Sequence, residues 1–174
     1  MTEKMRGFTL VELIVVITIL GVLVSIASPF YADWSRAAQY REAARAAASV
    51  LRAARSEAIH DNKAIQVSFT LDSSSANDGN QYSMLKNGAA VPQYQNVPFP
   101  VGIEIRRSPV SSDTCNTLSG AFTITLNPDG TADTSNGSDI CVMDSKGNKL
   151  FRTVVVSSTT GSVDVQKWNG SAWE

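Results

Sequence analysis

From Phe8 to Ala27 the chain reads FTLVELIVVITILGVLVSIA, an apolar run of 20 residues in which Glu12 is the single charge. Twenty helical residues rising about 1.5 Å each span roughly 30 Å, the thickness of a bilayer's hydrocarbon core. Such a run admits a cleaved secretory signal, with Lys4 and Arg6 as its basic start and Ser25-Ile26-Ala27 as a small-residue cleavage site. It also admits a membrane anchor. Glu12 sits awkwardly in both. A carboxylate inside an apolar membrane segment costs on the order of 2–3 kcal/mol and normally marks a partner. Its place near the helix start, by the positive end of the dipole, relieves part of that cost without explaining the charge.

Beyond this run the texture changes twice. Arg36 to Ile59 is rich in Ala and Arg and holds no Gly or Pro. After Asn62, alternating apolar segments are separated by turn signals among Ser, Thr, Asn and Gly. The length of 174 residues suits one domain with an appendage. With 43% hydrophobic and 18% charged residues, the chain is too apolar to be mostly disordered. A net charge of −1 excludes a generally basic nucleic-acid binder, though not a local basic patch. One His and two Cys are too few for a His/Cys zinc site and leave little for a nucleophile–His pair. No constellation supports catalysis, and no cofactor is expected.

Tyr40, Ala44, Ala47, Leu51, Ala54 and Ala58 recur every three or four residues, an apolar seam on a predicted helix. The seam suits a stem lying on a β-rich head, with a coiled-coil dimer as the alternative. Arg41, Arg45, Arg52 and Arg55 fall within about 80° of one another on the helix. They form a basic stripe for solvent, for neighbouring subunits or, less favourably, for DNA. His60 ends the stem and can complement its dipole. In the head, alternation predicts strands around Ile65–Leu71, Val101–Ile105 and Phe122–Leu126, and further strands are expected around Tyr82–Leu85, Ile140–Met143 and Leu150–Ser157, with a last one from Val163 toward Trp168. Asn87-Gly88, Asn127-Pro128-Asp129-Gly130 and Lys146-Gly147-Asn148 read as turns. The expected fold is α+β, a long N-terminal helix packed on a β-sandwich-like head.

The string Lys4-Met5-Arg6-Gly7-Phe8-Thr9-Leu10-Val11-Glu12-Leu13 resembles the prepilin processing motif of type IV pilins and type II secretion pseudopilins. Pro29 falls where that family commonly bends its helix, and Phe30, Tyr31 and Trp34 suit an aromatic belt at the outer membrane interface. Three head strings appear in the order found in minor pseudopilins of the GspH/FimT group. They are Pro98-Phe99-Pro100-Val101-Gly102, Leu126-Asn127-Pro128-Asp129-Gly130, and Arg152–Ser157 followed by Gly161. The resemblance implies a leader over 1–7, an assembly and transmembrane helix over 8–29, a stem over 30–61 and a head over 62–174. It implies cleavage between Gly7 and Phe8 by prepilin peptidase, N-methylation of Phe8, and pairing of Glu12 with the new amine of a neighbouring subunit. The implied partners are other pilin or pseudopilin subunits, with the inner membrane as anchor, the head in the periplasm, and secretion cargo as a further contact.

FimT-like members linked to DNA uptake carry Gly-Arg-x-Arg near the C-terminus, whereas this chain has Gly161-Ser162-Val163-Asp164. The missing arginines disfavour a DNA-binding tip pilin, which stays an alternative beside a secreted β-domain behind an ordinary signal. Cys115 and Cys141 can form a disulfide in an exported head, against two buried thiols. Asp72 with Asn77 and Asp78, or Asp129 with Asp133 and Asp139, invites a calcium reading, but neither string matches an EF-hand and turn chemistry is preferred.

Overall fold

The computed structural model describes residues 9–71, 79–100, 102–108, 115, 120–133, 139–144 and 147–174. Lys4, Arg6, Gly7, Phe8, Asp72, Asn77, Asp78, Val101 and Lys146 lie outside the described residues. Two compact units divide the chain, Met1–Ala38 and Gln39–Glu174. One helix, α1 (Leu10–Asp61), supplies all the described secondary structure of the first and opens the second.

In the first unit the aliphatic side chains from Leu10 to Ile26 are 48–73% exposed, so none is covered by the chain itself. The two hydroxyls in this stretch are satisfied within the helix. Thr18 Oγ1 donates to the Ile14 carbonyl at 2.7 Å and Ser25 Oγ to that of Gly21 at 2.8 Å.

In the second unit α1 ends on a left-handed Asn62 (φ 51°), and the Lys63 N–H reaches back to the Ala58 carbonyl at 3.2 Å. That arrangement satisfies a terminal carbonyl, and Asn tolerates the conformation better than most residues. Two antiparallel sheets follow. The first is built on β1 (Ile65–Leu71), flanked by β2 (Gln81–Lys86) and β6 (Gly120–Leu126). The two-residue strands β3 (Ala89–Ala90), β4 (Val97–Pro98) and β7 (Ala132–Asp133) complete it. The second sheet runs in the order β10-β9-β8-β5, from Ser162–Lys167 through Lys149–Ser157 and Asp139–Met143 to Glu104–Ser108.

One core joins both sheets to the stem. Ala43, Ala44, Ala47, Ala48, Val50, Leu51, Ala54 and Ala58 are at most 1% exposed. The expected seam is therefore real and wider than its spacing implied, because small side chains let the helix sink among its neighbours. The head's own strands occupy it, which overturns the coiled-coil alternative. Ile65, Val67, Phe69, Ile124 and Leu126 face it from the first sheet, and Ile105, Ile140, Val142 and Val155 from the second. Phe69 stacks on Phe122 at 5.1 Å and lies 6.5 Å from Phe99. Each such buried side chain contributes about 1.5–3 kcal/mol. The buried Thr153 hydroxyl donates to the Ala44 carbonyl at 2.6 Å, tying β9 to the stem.

Strand β8 departs from simple alternation, since all five of its residues are buried. Ile140 and Val142 enter the main core. Cys141 and Met143 join Cys115 in a second, smaller cluster on the other side, against which Trp173 packs. Cys115 and Cys141 are bonded.

Candidate assembly site

The charge within the apolar helix has a local structural role. Thr9 precedes the first turn, and its Oγ1 accepts the Glu12 N–H at 3.2 Å. The Glu12 carboxylate reaches back to the Thr9 N–H at 3.5 Å. The Thr9 carbonyl accepts the Leu13 N–H at 3.3 Å. This is a reciprocal capping box, which satisfies amide groups that a helix start leaves unpaired. The sequence signal for it is the Thr-x-x-Glu spacing of Thr9 and Glu12. One carboxylate oxygen faces the cap, and the side chain remains exposed. Glu12 can therefore cap its own helix and still meet a cation from outside.

Of the aromatic residues expected to form a belt, Tyr31 and Trp34 are 70% and 67% exposed, with ring centroids 6.1 Å apart.

The basic stripe divides in the second unit. Arg41 and Arg45 are exposed. Arg52 donates through Nε and Nη2 to the Val163 carbonyl at 3.3 and 2.8 Å. Half-buried Arg55 donates through Nε to the Gly130 carbonyl at 3.2 Å. Two of the four guanidinium groups thus bind the head's own backbone. A shallow cavity of about 410 Å³ lies there, lined by Arg52, Arg55, Ser56, Ile59 and the segment Gly161–Val163.

Two head strings that are distant in sequence meet at this place. The turn after β6 brings the Gly130 N–H to the Asn127 carbonyl at 3.0 Å, and Asp129 Oδ1 accepts the Thr131 N–H at 2.9 Å. The Thr131 hydroxyl also donates to that oxygen, and together these bonds hold the Asp129 carboxyl below its ordinary value. Gly161 has φ +58°, and a Cβ there would lie 2.3 Å from the Gly130 carbonyl oxygen. Only glycine fits both the left-handed backbone and the close approach. The segment that begins at Gly161 is thus part of a packing junction in this chain.

The acidic loops resolve as ordinary structure where described. Asp129 is spent on its turn, and Asp139 pairs with Arg152 at 3.4 Å. Among the described residues no group of three or more His, Cys, Asp or Glu could hold a metal. His60 is 82% exposed and lies 3.0 Å from Asp61, which also pairs with Lys86.

Comparison with known proteins supplies the family. The model of the type II transport protein GspH matches residues 43–160, and that of the prokaryotic N-terminal methylation motif matches residues 4–28. A fimbrial protein of Pseudomonas aeruginosa is 34% identical over 93 residues, 53% of this chain and 60% of that protein. The type IV major pilin protein PilE1 of Neisseria gonorrhoeae is 46% identical over 43 residues, 25% of this chain and 26% of that protein. The matched regions cover less than two thirds of these relatives' own lengths. No solved structure matches. With a methylation motif leading into a self-capped apolar helix, and a GspH match running from the stem through most of the head, the chain belongs to the GspH family of type IV pilin-like proteins.

Proposed function

We propose that the protein is a minor pilin or pseudopilin, a non-catalytic subunit of a type II secretion pseudopilus or a type IV pilus. The observation that carries this reading is an exposed apolar helix that starts at Leu10, capped by Glu12, within a methylation motif. Prepilin peptidase cuts between Gly7 and Phe8, and Phe8 is then N-methylated. Residues 8–29 anchor the chain in the inner membrane before assembly, 30–61 form the stem, and the head over 62–174 stays in the periplasm. There it contacts other minor subunits or cargo. Cleavage creates a cationic amine at Phe8. A neighbour's amine meeting Glu12 relieves two desolvation penalties at once, and a misregistered subunit leaves one unrelieved. Arg52 and Arg55 hold head carbonyls, and Asp164, next to Val163 in the sequence, is exposed, so a DNA-binding tip role draws little support.

The test is Glu12→Ala in cells that make the filament. The variant should still be cut and membrane-bound, yet fall at least tenfold in the sheared filament fraction. Incorporation at the wild-type level would contradict the assembly role.

A further inference from the structure

Beyond the end of β10 at Lys167 the backbone pairing continues. Lys167 and Glu174 exchange backbone hydrogen bonds of 2.7 and 2.9 Å, and Asn169 N–H donates to the Ala172 carbonyl at 3.0 Å. Asn169 Oδ1 accepts the N–H groups of Ser171 and Ala172 at 3.0 and 2.8 Å, closing the turn. Residues 167–174 are therefore a small β-hairpin, with Trp168 and Trp173 directly opposite each other. Their rings meet edge to face at 5.0 Å. Lys149 lies over the Trp168 ring at 4.6 Å, and Arg152 over the Trp173 ring at 4.8 Å. Trp173 also packs on the cluster of Cys115, Cys141 and Met143. A two-stranded hairpin of this size is not stable by itself in water, so its docking depends on what lies beneath it. The indole N–H of Trp173 has no hydrogen-bond partner among the described residues, which weakens the docked state further.

We propose that this hairpin is a redox-dependent latch. It closes over the Cys115–Cys141 bond, shields it from reductants while docked, and opens when the bond is reduced. Shielding acts on the rate of reduction, whereas docking and disulfide formation are reciprocal at equilibrium. If the disulfide favours the docked hairpin, the docked hairpin must favour the disulfide. Reduction by an external dithiol is balanced: its thiolate attacks one cysteine sulfur and breaks the S–S bond, its second thiol resolves the mixed disulfide, and two cysteine thiols and one reagent disulfide result. Access of the attacking thiolate is the step the hairpin controls, since Cys141 is fully buried and Cys115 is 9% exposed.

The test uses the full chain in detergent with Trp34→Phe, which leaves Trp168 and Trp173 as the only indoles. Edge-to-face indoles give an exciton couplet in circular dichroism, and a disulfide quenches an indole that touches it. Adding dithiothreitol without denaturant should reduce the couplet by at least half and raise indole emission at least twofold. Trp173→Ala should speed reduction of the disulfide at least tenfold, while Trp173→Phe, which keeps an aromatic cover, stays within threefold of the parent. An unchanged couplet and emission after reduction would overturn the latch. So would a Trp173→Ala disulfide reduced at the parent rate, and the spectra of the Trp34→Phe parent decide the matter should that variant not fold.

Discussion

The two ends of α1 invert the usual relation between hydrophobicity and burial. Its first part carries the larger aliphatic side chains, and they are 48–73% exposed. Its last part carries mainly alanines, and those of the seam are at most 1% exposed. What a side chain buries depends on what the rest of the chain can bring to it. The alanines lie under two sheets because their small volume admits close packing. The leucines, isoleucines and valines of the first part have no cover among the described residues, and an apolar patch of that extent implies a membrane or a partner. One helix thus serves a core of its own at one end and a foreign environment at the other.

Charge insertion at each end is the strongest way to break this contrast. Leu51→Asp places a carboxylate at a site with no exposure. It should cost at least about 4 kcal/mol and leave the head unfolded by thermal melting. Leu20→Asp, at a site 53% exposed, should leave the head's melting temperature unchanged and instead impair membrane insertion and filament incorporation. Equal destabilisation of the head by both would abolish the distinction.

A smaller effect is expected where the stem meets the head's turns. Gly161→Ala forces a Cβ toward the Gly130 carbonyl at a positive φ. It should destabilise the head by about 2–3 kcal/mol in denaturant unfolding. The same change at Gly88, where φ is positive but no atom lies within 4 Å of the added Cβ, should cost less, about 1 kcal/mol.

The smallest effect is the pH dependence at the stem's end. Hydrogen bonding to Lys86, then to His60, holds the Asp61 carboxyl below its ordinary 3.8. That stabilisation is present above 3.8 and is lost as pH falls through the lower folded value. Asp61, then Glu57, raises Lys86 above its ordinary 10.5. Its contribution is present below 10.5 and is lost as pH rises through the higher folded value. Melting temperature against pH should therefore show a weak decline at both extremes, and Lys86→Met should remove the alkaline one and shrink the acid one.

Much of the architecture was legible because it follows period. The four-three spacing from Tyr40 to Ala58 located the buried stem face, and period-two alternation located β1 and β6. The two-residue strands β3, β4 and β7 escaped because pairs of residues carry no periodicity. β8 concealed its second buried face, since only the fold reveals that Trp173 and a disulfide cover it. The stripe of four arginines was visible as a stripe, but its division was not. Arg52 and Arg55 are drawn to carbonyls of Val163 and Gly130, more than 70 residues away in sequence. The hairpin at Trp168–Trp173 turns on Gly170-Ser171, a Gly-first pair of the two-residue hairpin type that is too short to stand out beside the longer strands.

The central claim is that the exposed end of α1 belongs to a processed subunit built into an assembly, and the mature N-terminus tests it most directly. Mass spectrometry of the membrane-extracted protein should find a chain that begins at N-methylated Phe8, with the preceding seven residues absent and the apolar helix retained. A chain beginning after Ala27 would mean that the apolar segment is a discarded secretory signal, and it would contradict the account.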